Sequence, residues 1–236
     1  MANEATSIWT NSAGDRITYS DGPDKRFTFR KGDWTIDFWG QNTNASSPAV
    51  GWFSYATDSN NRFHFTNYSN MEFFSNIGGS SQNLSFTNAR DLLWHHYAVC
   101  RTGNHLVIYI DGVMKGSNSA FTQDMTLSGA TFYIGVRTDG GTHSTYSEEV
   151  YMDEFRVSHS ARYGNIDTPT TQLKTWQTAG RGQNALLPHH TKLLIQANSS
   201  TTTSSTIIDQ SASGHTLSIT GAVHSQGKTN FGNTAI

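Results

Sequence analysis

The sequence predicts an all-β protein, a sandwich of two antiparallel sheets packed face to face. Short runs of β-branched and aromatic residues recur along the chain, and each run is bounded by Gly, Asn, Ser or Asp. No amphipathic helical periodicity interrupts them. Aromatic residues make up 12% of the chain and charged residues 14%, so we expect a core of aromatic rings beneath sheet surfaces that carry uncharged polar groups.

Alternation along residues 34–39 predicts a central strand with two chemically different faces. These faces carry Trp34, Ile36 and Phe38 on one side, and Thr35, Asp37 and Trp39 on the other. Shorter runs bounded by turn residues predict further strands in the first half of the chain: Ile8–Trp9, Ile17–Tyr19, Gly51–Ala56, Arg62–Thr66, Met71–Phe74 and Leu84–Phe86.

A β-meander is predicted in the middle of the chain. The runs Trp94–Arg101 and His105–Ile110 are separated by Thr-Gly-Asn, in which Gly and Asn tolerate the positive φ of a tight turn. A second turn at Asp111-Gly112 leads into a third strand that starts at Val113. Two more strands are predicted beyond it, at Thr131–Val136 and Val150–Ser158.

The composition changes at Gly164. Residues 164–190 are polar, contain Pro169 and Pro188, and show no clear period, which indicates a surface linker. Residues 191–236 again predict strands, at Thr191–Gln196 and Thr216–Thr220, but this tail is too small to bury a core of its own. We therefore expect a sandwich over residues 1–163 and a tail that completes the same sandwich or a neighbouring subunit's.

Charge and composition exclude several classes of partner. The formal net charge is −2 and no run of Lys or Arg is present, so the chain lacks the electrostatic footprint for nucleic acid or an anionic membrane. No apolar stretch reaches the ~18 residues of a membrane span, and the first ten residues lack the pattern of an export signal. Cys100 is the single cysteine, which we expect to be a buried thiol.

Four segments resemble laminin G-like, or concanavalin A-like, domains in their order and spacing. They are GDWTIDFWGQ (Gly32–Gln41), WHHYAVCRTGNHLVIYIDGVMKG (Trp94–Gly116), TFYIGV (Thr131–Val136) and YMDEFRVSHSARY (Tyr151–Tyr163). The resemblance implies a jelly-roll sandwich of two curved antiparallel sheets. It also implies binding of glycans or protein surfaces, in some members with calcium.

The tail also resembles a segment of the same family, but at a different position in the order of the chain. Residues 193–236 look like the opening segment of such a domain, which implies a circular permutation. Completion of the chain's own sandwich is favoured, because closing a loop costs only a few kcal/mol and needs no partner. Completion of a neighbouring subunit's sandwich and a truncated second repeat are the alternatives; the last would expose sheet edges and ranks lowest.

Acidic residues near the end of the sandwich were considered as a glycosidase pair. Laminarinase-type relatives use acidic residues that alternate along one strand, whereas Asp153 and Glu154 are adjacent and Glu149 lies four residues earlier. The spacing predicts no catalytic pair, and we expect a non-enzymatic protein. Asp153 and Glu154 are instead expected to form strand-end hydrogen bonds or to pair with Arg156 or Arg162.

Metal ligands are sparse in the sequence. The adjacent His95 and His96 point to opposite faces of a strand, so we expect structural roles for both, and His189-His190 has no ligand partner at zinc spacing. No cofactor is required. Calcium is the candidate ion, at a loop in which Asp209, Ser211 and Ser213 supply oxygen atoms, although an ordinary turn is the favoured interpretation.

Glycan binding needs an aromatic ring next to amide or carboxylate groups. Three loop clusters offer this combination, although each ring is more often part of the core or its rim. The clusters are Tyr55 with Asp58 and Asn61, Tyr68 with Asn67 and Asn70, and Asp139 with His143 and Tyr146.

The leading functional hypothesis is a non-catalytic binding and assembly module on the surface of a bacteriophage particle, as a capsid decoration or tail adhesin. It rests on the absence of an export signal and of disulfides, on the uncharged polar composition, and on the implied fold. Its partners would be virion proteins or identical subunits, and cell-surface glycans are candidate ligands. The alternative is a carbohydrate-binding module, with or without calcium, of an extracellular polysaccharide-handling protein.

Overall fold

A computed structural model describes residues 7–10, 14–20, 27, 29–44, 50–68, 70–87, 91–139, 149–163, 191–197 and 204–225. These residues form fifteen β-strands in two antiparallel sheets. Among them no helix is long and apolar enough to cross a membrane. The predicted all-β sandwich is confirmed.

The larger sheet has eight strands. They are β1 (Ser7–Thr10), β3 (Trp34–Asn42), β8 (Trp94–Thr102), β9 (His105–Ile110), β10 (Val113–Asn118), β12 (Val150–Ser158), β13 (Thr191–Ile195) and β15 (Val223–Ser225). The order across the sheet is β10-β9-β8-β3-β12-β1-β15, and β13 also pairs with β12. The predicted meander is therefore confirmed as β8, β9 and β10.

The smaller sheet has seven strands. They are β2 (Arg16–Ser20), β4 (Val50–Asp58), β5 (Asn61–Asn67), β6 (Met71–Ile77), β7 (Ser80–Phe86), β11 (Thr131–Ile134) and β14 (Ser218–Thr220). Their order is β14-β2-β11-β4-β5-β6-β7. The short strand β15 of the larger sheet is the one that the sequence did not predict, because three residues are too few to show alternation.

Aromatic rings from both sheets fill the interior, as the composition predicted. Phe38 of β3 lies 5.3 Å from Trp52 and 5.4 Å from Phe155, measured between ring centroids. Gly40, on the same strand, leaves room for this packing, because a Cβ atom there would come within 2.6 Å of the Trp52 ring. Rings in such offset and edge-on contacts contribute about 0.5–1.5 kcal/mol per pair beyond their buried area.

The tail pairs with the body of its own chain in both sheets. β13 pairs with β12, β14 with β2, and β15 with β1. Leu193, Ile195, Ile207 and Ala222 are buried in the common core. The linker predicted over residues 164–190 lies outside the described residues, and the circular permutation stays a prediction.

The polar side of β3 is buried. Thr35 and Asp37 have no exposed surface, because residues 159–163 lie over this half of the outer face of the eight-stranded sheet. Tyr163 forms a second apolar cluster there with Ala98, Cys100, Val107 and Tyr109. The prediction that Cys100 is buried is confirmed, and burial raises the pKa of its thiol.

A buried ion pair joins β3, β12 and the covering segment. The Arg156 guanidinium donates from Nε to Asp37 Oδ1 at 3.0 Å and makes a second hydrogen bond to Oδ2. The Tyr163 hydroxyl also donates to Asp37 Oδ2, at 2.7 Å, and His96 Nε2 lies 3.6 Å from the same oxygen. Burial is the largest single influence and would raise the pKa of Asp37, but the Arg156 charge together with the hydrogen bonds from His96 and Arg156 outweighs it and holds this pKa far below its usual range.

We expect Asp37→Asn to lower the free energy of unfolding by about 3–5 kcal/mol, because it leaves the Arg156 charge buried without its counterion. Urea denaturation at neutral pH measures this change. Glu149→Gln, which neutralises an exposed carboxylate at the start of β12, is the matched control and should leave stability within about 0.5 kcal/mol. Equal effects of the two substitutions would contradict the role of the ion pair.

Candidate binding face

Tyr55 does not lie in a loop. It is on β4, is fully buried, and donates its hydroxyl to the Leu127 carbonyl at 3.3 Å. The expectation that its ring could support a sugar is wrong, because Tyr55 lies within the predicted strand Gly51–Ala56 and alternation places it on the same inner face as Phe53.

The carboxylates of Asp58 and Asp139 are both engaged by protein groups. Asp58 accepts hydrogen bonds from the Asn60 amide at 2.8 Å and from Asn61 Nδ2 at 3.1 and 3.2 Å. Asp139 forms ion pairs with Arg62 at 3.4 Å and with Arg137 at 3.2 Å. These contacts build the turns that join neighbouring strands.

Tyr68 and Asn70 lie at the opposite end of β5, in the turn to β6. Tyr68 is 48% exposed, and its backbone amide donates a hydrogen bond to the Asn70 carbonyl at 2.9 Å. His143 and Tyr146 lie outside the described residues. Among the loop candidates that the structure describes, the Tyr68 turn is the one that presents an accessible ring.

The loop proposed for calcium is organised around hydrogen bonds to Asp209. Its Oδ1 accepts hydrogen bonds from the Leu194 amide at 3.0 Å and from the Ser211 amide at 2.8 Å. Its Oδ2 accepts from the Ser211 hydroxyl and the His215 amide, each at 2.9 Å, and from His215 Nδ1 at 2.5 Å. Both oxygens face N–H and O–H donors, which a cation cannot replace without dismantling the turn. Asp209, Ser211 and Ser213 thus do not fit a calcium site, and the described residues contain no cluster of three metal-ligating acidic, His or Cys side chains.

Asp153 and Glu154 join the tail to β12 instead of pairing with arginines. Asp153 Oδ1 accepts from the Ala197 amide at 3.1 Å, and both Glu154 oxygens accept from Gln196 Nε2 at 2.8 Å. The expected partner Arg156 is bound to Asp37 instead. A β-bulge between Asp153 and Arg156, with Glu154 at φ 53°, turns both carboxylates toward the residues after β13.

His95 has a structural role, because its ring connects two loops. Its Nδ1 lies 2.5 Å from Asp111 Oδ2 and its Nε2 lies 2.8 Å from Asp91 Oδ1, so the ring links the loop before β8 to the turn after β9. The Asp111 hydrogen bond is the largest cause that raises the pKa of His95, to about 9. The imidazolium form is therefore the stabilising one at neutral pH.

We expect the stabilisation by His95 to be fully present below its ordinary pKa of 6.5 and to be lost as the pH rises toward about 9. The difference in unfolding free energy between the wild type and His95→Gln should shrink across this window. Denaturation series at several pH values measure it, with His105→Gln on β9 as the control histidine. A difference that grows with pH would contradict the link.

Four partly exposed aromatic residues share the outer face of the eight-stranded sheet. Tyr151 of β12 is the cross-strand neighbour of Trp9 on β1 and of Gln41 on β3, and Gln41 is in turn the neighbour of Trp94 on β8. Trp39 lies one row further along β3. We call Trp9, Trp39, Trp94 and Tyr151 the aromatic face.

The aromatic face is ordered by its neighbours. The Trp9 and Tyr151 rings are nearly parallel, with an interplanar angle of 10° and centroids 6.0 Å apart. Trp39 contacts the His96 ring at 5.5 Å, and His96 lies against the buried Asp37 carboxylate. Burial lowers the pKa of His96, so the ring beneath Trp39 is neutral.

Polar groups surround the rings. The Gln41 side chain between Tyr151 and Trp94 donates to the Leu92 carbonyl, and Asp153 is the cross-strand neighbour of Trp39. A group of partly exposed rings on one sheet face can stack on the C–H faces of sugars. This arrangement is suited to binding and brings no pair of free carboxylates together.

The sequence contained one signal for this face. Alternation along residues 34–39 placed Trp39 on the polar side of its strand, where a large aromatic residue is unexpected in a surface without a ligand. Trp9, Trp94 and Tyr151 could not be joined to it, because their neighbourhood depends on which strands pair and in which register.

The fold and this face define a lectin-like binding domain. The chain belongs to the concanavalin A-like lectin/glucanases superfamily, whose family model matches residues 11–164. The resemblance inferred from the sequence is thus confirmed. No curated protein sequence matches the chain.

Solved structures with the same fold come from diverse proteins. Domains LG4-5 of the mouse laminin alpha1 chain have a TM-score of 0.53 at 13% identity, over 65% of this chain and 40% of that chain. The heptameric SAP-like pentraxin of Limulus polyphemus has a TM-score of 0.53 at 14% identity, over 74% and 83%. The receptor binding domain of botulinum neurotoxin C/D mosaic serotype has a TM-score of 0.51 at 12% identity, over 66% and 40%. At these identities the likeness concerns the fold alone.

Proposed function

We propose that this chain is a non-catalytic carbohydrate-binding module and that the aromatic face holds the glycan. The single observation that carries the proposal is the row formed by Trp9, Tyr151 and Trp94 with Trp39 beside it, all partly exposed on one sheet face. A cluster of partly exposed aromatic rings on one surface is typical of an interaction site.

Two further observations support a binding role. The acidic residues that could have formed a catalytic pair are used as structural hydrogen-bond acceptors, since Asp153 and Glu154 bind residues 196–197. One structural neighbour is the receptor binding domain of a botulinum neurotoxin, so a domain of this fold is a receptor-binding domain in that protein. Neutral sugars are expected to fit this face better than anionic ones, because the cross-strand neighbour of Trp39 is the carboxylate residue Asp153.

We expect Trp39→Ala and Trp9→Ala each to weaken glycan binding about five- to tenfold, since one stacked ring contributes roughly 1 kcal/mol. A glycan array of neutral glucose, galactose, mannose and N-acetylglucosamine oligomers identifies the ligand, and isothermal titration measures the affinities. Tyr68→Ala is the matched control, because it removes an exposed ring from the other candidate site.

The variants separate the two sites. If Tyr68→Ala abolishes binding and the tryptophan variants do not, the glycan is held by the β5–β6 turn and the assignment to the aromatic face is wrong. If the wild type binds no member of the array, the proposed function is wrong. Circular dichroism melting of each variant shows whether a loss of affinity follows a loss of fold.

We also propose the surface of a bacteriophage particle as the place where this module works. The uncharged polar composition and the fold support this setting by association, and the exposed sheet edge described below suits a protein that assembles with copies of itself. Purified chain should co-sediment with particles that lack it. Absence of binding to particles, together with a stable monomer in solution, would contradict this setting.

A further inference from the structure

Besides β13, whose Leu194 amide and carbonyl are bonded to Asp209 and Gln210, the two sheets have four edge strands, and three of them are protected against pairing with another chain. The edge strands β14 and β15 are three residues long. The edge strand β10 carries Lys115 and a bulge between Met114 and Gly116. Short length, lysine and bulges are the common devices that keep an edge from acting as a template.

The fourth edge, β7, has none of these devices. Its seven residues, Ser80–Phe86, include no charged residue and no proline. All seven pair with β6 in an unbroken register. Within the described residues no strand pairs with β7 on the side away from β6. Every second residue of such a strand turns its backbone N–H and C=O outward, so the edge can accept a further strand.

We propose that β7 pairs in antiparallel fashion with β7 of a second copy of this chain, with Asn83 at the two-fold axis. The seven-stranded sheets of two subunits then form one continuous sheet. This interface does not depend on glycan binding, so the two proposals can fail separately.

The side chains of β7 favour a second copy over an unrelated strand. With Asn83 opposite Asn83, Ser81 lies opposite Ser85 and Gln82 opposite Leu84, so every residue of the strand is matched. The side chains of Ser81, Asn83 and Ser85 lie on the outer face of the sheet, are exposed, and are small enough to pair with a second copy without a clash. Paired amide and hydroxyl side chains can hydrogen-bond across the axis.

Charge is compatible with self-association at this edge. The nearest charged residue on the outer face is Glu72, one strand inward, where it accepts a hydrogen bond from Asn83 Nδ2 at 3.2 Å. Across the two-fold axis the two Glu72 residues are separated by three strand spacings, roughly 14 Å, and by four residues along the strands, again roughly 14 Å. This separation exceeds the Debye length of about 8 Å at physiological salt, so the two Glu72 carboxylates repel each other little.

The first test is the mass of the full-length chain in solution, measured by light scattering and sedimentation. We expect a dimer for the wild type, and a monomer for Asn83→Lys and for Asn83→Asp because each places like charges opposite one another. An equimolar mixture of these two variants should restore a dimer. Ser218→Lys, on the edge strand β14 of the same sheet, is the control and should remain dimeric.

A monomeric wild type overturns the proposal. A dimer that persists in Asn83→Lys overturns it as well, because the association then uses another surface. A monomeric mixture of the two charge variants also counts against it, since a folding defect would explain the loss of the dimer equally well.

The second test reads the register directly. Under mild oxidation Asn83→Cys should form a disulfide-linked dimer in high yield, because residue 83 faces its own copy. Ser81→Cys is the matched control and should cross-link poorly, since residue 81 faces residue 85. The native thiol of Cys100 is buried and does not compete. Equal cross-linking at positions 81 and 83 would overturn the pairing about Asn83.

Discussion

The buried pair of Asp37 and Arg156 is the interaction on which the eight-stranded sheet depends most. It links the central strand β3 to β12, and Tyr163 brings the covering segment onto the same carboxylate. An unpaired charge in this position would cost several kcal/mol, so the three segments must come together as a unit. The aromatic face lies directly beside this network on the same strands, and Trp39 rests against His96, which borders Asp37. A rigid base of this kind holds the rings in position before a ligand arrives, which lowers the entropy cost of binding.

A second constraint is the junction at the bulge in β12. On one side of β12 the strands β1 and β13 lie end to end, β1 along residues 150–152 and β13 along residues 155–158. Asp153 and Glu154 lie between the part of β12 that pairs with β1 and the part that pairs with β13, and their carboxylates accept hydrogen bonds from residues 196–197. Residues distant in sequence thus share one edge of β12, and Asp153 and Glu154, for which the spacing predicted structural roles, connect them.

The proposed binding face belongs to the eight-stranded sheet, whereas the proposed dimer edge belongs to the seven-stranded sheet. The proposed dimer would therefore set the direction in which the two binding faces point. A two-fold axis through Asn83 perpendicular to the seven-stranded sheet keeps the outer faces of both subunits on the same side. The aromatic faces, on the opposite sheets, would then both point the other way and toward one surface. Two sites that face the same surface can engage a repeated glycan together, which raises the apparent affinity without any new contact.

The local pattern of residues by itself determined the class of fold. Alternation along residues 34–39, the turns at Gly103 and Gly112, and the supply of aromatic residues predicted antiparallel strands and an aromatic core, because these depend on neighbours in sequence. The tertiary structure decided which residues form the aromatic face and which contacts the polar candidate residues make. Trp9, Trp39, Trp94 and Tyr151 become neighbours only through the order and register of β1, β12, β3 and β8. Tyr55 lies in a strand that the sequence predicted, but only packing against Phe63 and Phe132 shows that its ring faces the core and not a ligand. Strand pairing joins residues far apart in sequence, and no local pattern records which partner a strand will find.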